Sequence, residues 1–304
     1  MKTPALFKEY IWLVNTIHSA KRISFAEINE KWLRTEMSEG ISLSRTTFNR
    51  HKDAIEDIFG IYIDCDRKDD YRYFIGNEEV LHEDSVQNWM LSTLTVNNLI
   101  SESMSLQNRI VLENIPSNGE LLERVLRAMN EGKKVTVRYR RYQATESRLF
   151  SLAPYCIKLF RQRWYLLGRF GDGGFAIFSF DRMEDIVISE ESFKMDPDFD
   201  ASEFFGECYG VVIGDGSQPV RVVIRAFGVE RYYLRDLPLH HTQKEIQASD
   251  EQDYADFELF IRPTTDFKGQ LLSRGACLKI MEPQWLADEI RQWHEDSAKI
   301  YQEK

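Results

Sequence analysis

"IKLFRQRWYLLGRF", residues 157–170, sets Lys158, Arg161, Arg163 and Arg169 around a Trp164-Tyr165-Leu166 triplet in an otherwise apolar run. Alternate residues of a strand share one face, so Trp164 and Leu166 are expected on the core side, and Tyr165 with Leu167 on the other. The flanking runs read in the same way. "RLFSLAPYCIKLF" (148–160), "RWYLLGRF" (163–170) and "FAIFSFDRMEDI" (175–186) are strand-like segments parted by "RQ" and "GDGG". Before them, "KVTVRYRRY" (134–142) puts Val135, Val137 and Tyr139 on one face and Thr136, Arg138 and Arg140 on the other. Short strands joined by polar turns predict a small, strongly bent sheet or barrel over residues 120–190, preceded by the short helix "ELLERVLRAMNEG".

Charge is distributed unevenly around this segment. The net charge is −10 over 304 residues, yet residues 120–182 carry 13 basic and 6 acidic side chains, and residues 183–304 carry 13 and 25. Residues 1–80 (12 basic, 14 acidic) and 81–119 (1 and 4) are mildly acidic. A local anion site is therefore compatible with an acidic protein. In the basic segment Arg140, Arg148, Arg161, Arg163 and Arg182 outnumber the nearby carboxylates, so most are expected to lack a local partner. Two readings stay open: a solvated surface, or a pocket in which guanidinium forks hold phosphate while aromatic faces stack on bases.

The first 80 residues change period. Leu6, Tyr10, Leu13, Val14 and Ile17 recur at helical spacing. Ser24 is placed to cap a second helix, residues 25–37, with Phe25, Ile28, Trp32 and Leu33 inward. Ser44 is placed to cap a third, whose inward residues are Phe48, Ile55, Ile58 and Phe59 and which stops at Gly60. "IYIDCD" and "YRYFIG" then alternate at period two around "RKDD", a hairpin pattern. Three helices followed by a hairpin is the order of a winged helix-turn-helix. The third helix opens "SRTTFNRHK", with no acid before Asp53. It offers Arg45, Thr46, Asn49, Arg50 and Lys52, with His51 beside them, as contacts to base edges and phosphates of double-stranded DNA. Residues 81–116 read as a helical linker with Val86, Met90, Leu94, Val96, Leu99 and Ile100 as its apolar members, closed by the boundary Pro116-Ser117-Asn118-Gly119.

Around the opening stretch, several ordered elements resemble one known family. They are Tyr139-Arg140, the Arg-x-x-x-x-x-Pro element from Arg148 to Pro154, Trp164-Tyr165-Leu166, and the pair Asp181-Arg182. In this order they resemble the WYL domain of bacterial transcriptional regulators. The resemblance implies an α+β multidomain chain: a winged helix-turn-helix (residues 1–80), a helical linker (81–116), an Sm-like β-barrel or WYL domain (117–205), and a small C-terminal WCX domain (206–304). It also implies a ligand-facing role for Tyr139, Arg140, Arg148, Trp164, Tyr165 and Arg182, to which the local charge adds Arg163. The chain departs from the pattern at Ala176 and Ser179, where family members often carry arginines.

Residues 220–301 alternate strand "VRVVIRAF", helix "VERYYLRDL", strand "HHTQKEI", strand "YADFELFIR", helix "DFKGQLLSR", strand "ACLKIM" and a final helix. That is a ferredoxin-like βαββαβ order. His240 and His241, read as strand neighbours, would point to opposite faces and hold no common metal. The glycine clusters at 171–174 and 214–216 lack the Gly-Lys-Ser/Thr ending of a phosphate loop, and no nucleophile stands with a plausible base. No enzyme activity, metal or cofactor is expected. Cys65, Cys156, Cys208 and Cys277 show no paired spacing, which fits a reducing cytoplasm. The early run "ALFKEYIWLVNTI" falls short of the ~20 residues of a membrane span, so no membrane partner is expected. The expectation is a cytoplasmic, homodimeric, DNA-binding regulator whose barrel senses a negatively charged effector, a nucleotide or short single-stranded nucleic acid. The alternative is an accessory module that binds nucleic acid or a protein through the barrel.

Overall fold

The computed structural model describes residues 3–82, 85–102, 109, 119–213 and 218–302. It forms two compact units, Met1–Glu113 and Asn114–Lys304. The side chains of Val86, Leu99 and Ile100, the boundary residues 116–118 and the glycine cluster at 214–216 lie outside the described residues.

The first unit contains α1 (Thr3–Ala20), α2 (Phe25–Leu33), α3 (Arg45–Phe59), β1 (Ile63–Asp66), β2 (Arg72–Ile75) and α4 (Val86–Glu102). Two serines start its inner helices. The Ser24 hydroxyl accepts from the Glu27 N–H while the Glu27 carboxylate accepts from the Ser24 N–H at 2.8 Å, a reciprocal cap. Ser44 caps α3 by accepting from the Thr47 N–H at 3.0 Å. Gly60 ends α3 with φ 64°, the left-handed geometry that a side chain disfavours. Leu13, Val14, Ile17, Ile28, Phe48, Ile55 and Phe59 close one core with Ile63 and Tyr73 of the hairpin. Ile23 bridges to Tyr73 and widens the wing. Leu33, expected inside, is 43% exposed, because α2 ends there and the chain leaves the inner face in a short 3-10 turn. The helix read as a linker is more than that: Leu91 of α4 is buried in the same core.

The second unit begins with α5 (Gly119–Asn130), followed by β3 (Lys133–Tyr139), β4 (Arg148–Phe160), β5 (Arg163–Arg169), β6 (Phe175–Ser179) and β7 (Met183–Ser192). The antiparallel order β7-β3-β4-β5-β6 brings the last strand back beside the first, an Sm-like arrangement. A register shift in β4 after Pro154 interrupts its pairing with β5 along a 13-residue strand, the kind of irregularity that bends a sheet. Val125 and Ala128 of α5 pack on Val135, Val137, Leu152, Leu166 and Phe178. Leu166 is core as expected, and Trp164 is half-buried against the same cluster. On the opposite face, Leu167 is only 1% exposed. A second apolar layer of Ala153, Tyr155, Leu167 and Phe205, joined by Phe175, Phe193 and Phe199, covers it. That cover comes from the strap after β7, which leads into α6 (Ala201–Gly206).

The chain continues through β8 (Val220–Phe227), α7 (Glu230–Asp236), β9 (Lys244–Ser249), β10 (Tyr254–Ile261), α8 (Thr265–Leu272), β11 (Leu278–Glu282) and α9 (Gln284–Gln302). The order β11-β8-β10-β9 is the ferredoxin-like sheet. One boundary differs from the sequence reading. His240 and His241 precede β9 in a turn, with their rings 4.1 Å apart rather than on opposite faces. The His240 Nδ1 is 2.8 Å from the Thr242 hydroxyl, a local bond that favours the turn over the strand. Within this unit the barrel meets the C-terminal domain where Lys158 Nζ donates to the Gly210 carbonyl at 2.7 Å and Arg161 to the Tyr209 hydroxyl at 3.1 Å.

Candidate functional site

The 3-10 turn Phe180–Arg182 between β6 and β7 gathers a cluster at one mouth of the barrel. Tyr139, at the end of β3, is 4% exposed, and its hydroxyl accepts from the Ser179 N–H at 3.3 Å. Burial raises its pKa. Tyr139 is therefore a support of the site, not the ligand-facing ring expected from sequence. Its ring carries the Arg182 guanidinium, which lies 5.0 Å from the centroid of Tyr139 and 4.1 Å from that of Tyr142. The Arg182 Nε is buried with no hydrogen-bond partner among the described residues. Two rings thus hold a cation that has no ion-pair partner among the described residues.

Arg163 completes the mouth. Its Nε is 3.3 Å from Asp181 Oδ2, and Asp181, with Tyr165 and Tyr142 nearby, raises its pKa. Arg148 pairs across strands with Tyr139, so the two side chains leave the sheet on the same face. It is exposed and has no hydrogen-bond or ion-pair partner among the described residues. Tyr165 is half-buried opposite Ser179.

Two expected members stand apart. Arg140 is engaged by Glu184, with Nε 2.8 Å from Oε1, and the Ser147 hydroxyl and then Arg140 hold that carboxyl below its usual range. Trp164 faces the core side. Of the arginines expected mostly to lack a local partner, Arg163 has one in Asp181 of the same segment, while Arg140 and Arg161 find theirs beyond it, at Glu184 and the Tyr209 hydroxyl. Tyr142, 72% exposed, is the member that the sequence reading missed; the aromatic at the end of "YRRY" was its signal.

In the first unit, Thr46, Asn49 and Arg50 are exposed on α3, spaced as neighbours on one helix surface. Arg45 is exposed but tethered: Nη1 donates to the Tyr73 hydroxyl at 3.0 Å and the guanidinium lies 4.2 Å from the Phe25 centroid. Lys52 is half-buried, its Nζ 5.7 Å from the Tyr73 ring. His51, grouped with the exposed contacts from sequence, is instead 4% exposed, with Nε2 2.9 Å from Glu9 Oε2. Burial lowers the His51 pKa and raises that of Glu9, favouring the neutral form of each. At the hairpin tip Arg67 and Lys68 are exposed.

Residues 120–188 match the WYL domain and residues 218–298 the WCX domain. The chain therefore carries a WYL domain followed by a WCX domain. The mouth built by Tyr139, Tyr142, Arg163, Tyr165 and Arg182 lies wholly inside the WYL domain, whereas the strap and α6 fall between the WYL and WCX matches. No curated protein matches the chain. Among solved structures, it is similar to proteasome accessory factor B/C (PafBC) of Arthrobacter aurescens, at 18% identity and TM-score 0.39 over 94% of this chain and 46% of that one. The chain thus spans less than half the PafBC chain. A CRISPR Cas-related protein is similar at 11% identity and TM-score 0.36, over 91% of this chain and 71% of that one. Among the described residues no group of three or more His, Cys, Asp or Glu is placed to hold a metal, and no helix is long and apolar enough to cross a membrane.

Proposed function

We propose that this WYL protein is a cytoplasmic, homodimeric, DNA-binding transcriptional regulator that reads double-stranded DNA through α3. In this reading the WYL mouth senses a nucleotide or a short single-stranded nucleic acid. The observation that carries the proposal is that Thr46, Asn49 and Arg50 are exposed together near the start of a helix that is capped at Ser44, has no acid before Asp53 and is followed by a wing. Arg can donate twice to a guanine edge, and Asn can donate to and accept from an adenine edge, while Arg67, Lys68 and the start of the helix are suited to phosphates. At the mouth, Arg148, Arg163 and Arg182 supply phosphate contacts, and Tyr142 and Tyr165 supply ring faces for bases. The role needs no catalytic step, metal or cofactor.

Fluorescence anisotropy with DNA from upstream of the protein's own coding sequence tests the reading. The parent chain is expected to bind specifically, with affinity falling as salt rises. Asn49→Ala and Arg50→Ala are each expected to weaken specific binding by about 1–3 kcal/mol without loss of helicity. Parent-like binding by both variants would remove α3 as the reader. Binding of RNA or a protein without DNA would favour an accessory module.

A further inference from the structure

The far end of β5 carries a second cleft that the regulator reading does not use. Arg163 begins this strand and Arg169 ends it, so a seven-residue strand separates the mouth from the cleft by roughly 20 Å. The cleft encloses about 430 Å³, within the size range of small-molecule sites. Arg169 sits opposite Ala153 across the β4–β5 pair, and Lys134 lies one residue on from the Val135–Leu152 pair of β3 and β4. Lys134, Ala153 and Arg169 thus run in a row across three strands on the outer face, two cations flanking a methyl-sized floor. The strap closes the other side with Phe193 and Lys194.

The walls are preorganised. Arg169 Nη1 donates to the Tyr155 hydroxyl at 2.8 Å, and its guanidinium lies 5.5 Å and 5.4 Å from the Tyr155 and Phe175 centroids. Tyr155 and Phe193 stack with centroids 6.0 Å apart and an interplanar angle of 25°. Facing carboxylates only partly balance the cations: Lys134 pairs with Glu191 at 2.8 Å, and Arg169 is 3.9 Å from Asp196. Lys194 has no hydrogen-bond or ion-pair partner among the described residues. The rim is left with one surplus positive charge above an aromatic wall.

We infer that this cleft binds a small organic anion, a flat ring with one carboxylate or phosphate head, and that the bound anion ties the outer face of the WYL barrel to the strap. The ring would lie against the Phe193 and Tyr155 side while the head sits between Lys194, Arg169 and Lys134. This site is independent of the mouth and of the regulator reading.

Isothermal titration of the full-length chain with salicylate, AMP, inorganic phosphate and neutral salicylamide tests the inference. Salicylate or AMP is expected to bind, and whichever does so identifies the head. Phosphate alone and salicylamide are expected to bind at least about tenfold more weakly. Lys194→Glu, at an exposed position, is expected to lower the affinity about tenfold or more, with Lys194→Arg restoring it. An Arg148→Ala, Arg182→Ala double variant is expected to leave the salicylate affinity unchanged, and AMP is titrated in that variant, where the mouth no longer competes for the nucleotide. The inference is overturned if neither ring-bearing anion binds, if phosphate binds as well as they do, or if binding is lost in the double variant and kept in Lys194→Glu.

Discussion

Arg182 and His240 show how single side chains acquire properties from residues far along the chain. Arg182 was legible in sequence as part of an Asp-Arg pair, but its setting between Tyr139 and Tyr142 was not, since it depends on the sheet pairing Tyr139 with Met183. The Arg140–Glu184 pair escaped the charge count for the same reason: 44 residues separate the partners. His240 carries a testable pH dependence. Burial, then the neighbouring His241, lowers its pKa to about 4, with Lys158 adding in the same direction and a backbone bond to Gly206 opposing. The unfolded chain takes up a proton near pH 6.5 while the folded one stays neutral. The His240 contribution to stability should therefore fall as pH drops from 6.5 towards about 4 and level off below. The loss is on the order of 3 kcal/mol. Denaturant melts of parent and His240→Gln across this range should show a shallower fall in the variant; parallel curves would place the acid sensitivity elsewhere.

Among the elements, α3 and β5 were legible to different degrees. Helix α3 was readable because its start, stop and inward stripe are local signals: Ser44, Gly60, and Phe48, Ile55 and Phe59. His51 was misplaced because its partner, Glu9, lies in α1. Strand β5 was only half readable. Its Trp-Tyr-Leu triplet located the strand, but its outer face is buried by a strap that begins more than 20 residues later, so alternation could not show that both faces are apolar. Gly168 reflects this packing. A Cβ there would lie 2.6 Å from Leu152 Cδ1 in the barrel core. Gly168→Ala is expected to cost about 1–3 kcal/mol through overpacking, and restoring space with Leu152→Val in the same chain should recover part of it. Urea denaturation decides the point, and a Gly168→Ala midpoint equal to that of the parent would contradict the packing described.

Over the whole molecule, the charge pattern foreshadowed the division of labour: a basic barrel segment with 13 basic and 6 acidic groups beside an acidic C-terminal one with 13 and 25. The acidic domain does not neutralise the mouth. Arg163 takes its carboxylate from Asp181 of the barrel itself, and Arg148 and Arg182 have no ion-pair partner among the described residues. A homodimer is expected because helix-turn-helix readers commonly address paired half-sites; a monomeric mass by light scattering, with and without DNA, would count against it. The central claim is that the WYL mouth and α3 are coupled sites. Anisotropy titration of upstream DNA with the full chain, in the presence and absence of a short single-stranded oligonucleotide, measures that coupling. The account predicts a change in DNA affinity of about fivefold or more with the oligonucleotide, lost in the Arg148→Ala, Arg182→Ala variant while its basal DNA affinity stays at the parent value. An affinity indifferent to the oligonucleotide, or a variant that responds as the parent does, would contradict it.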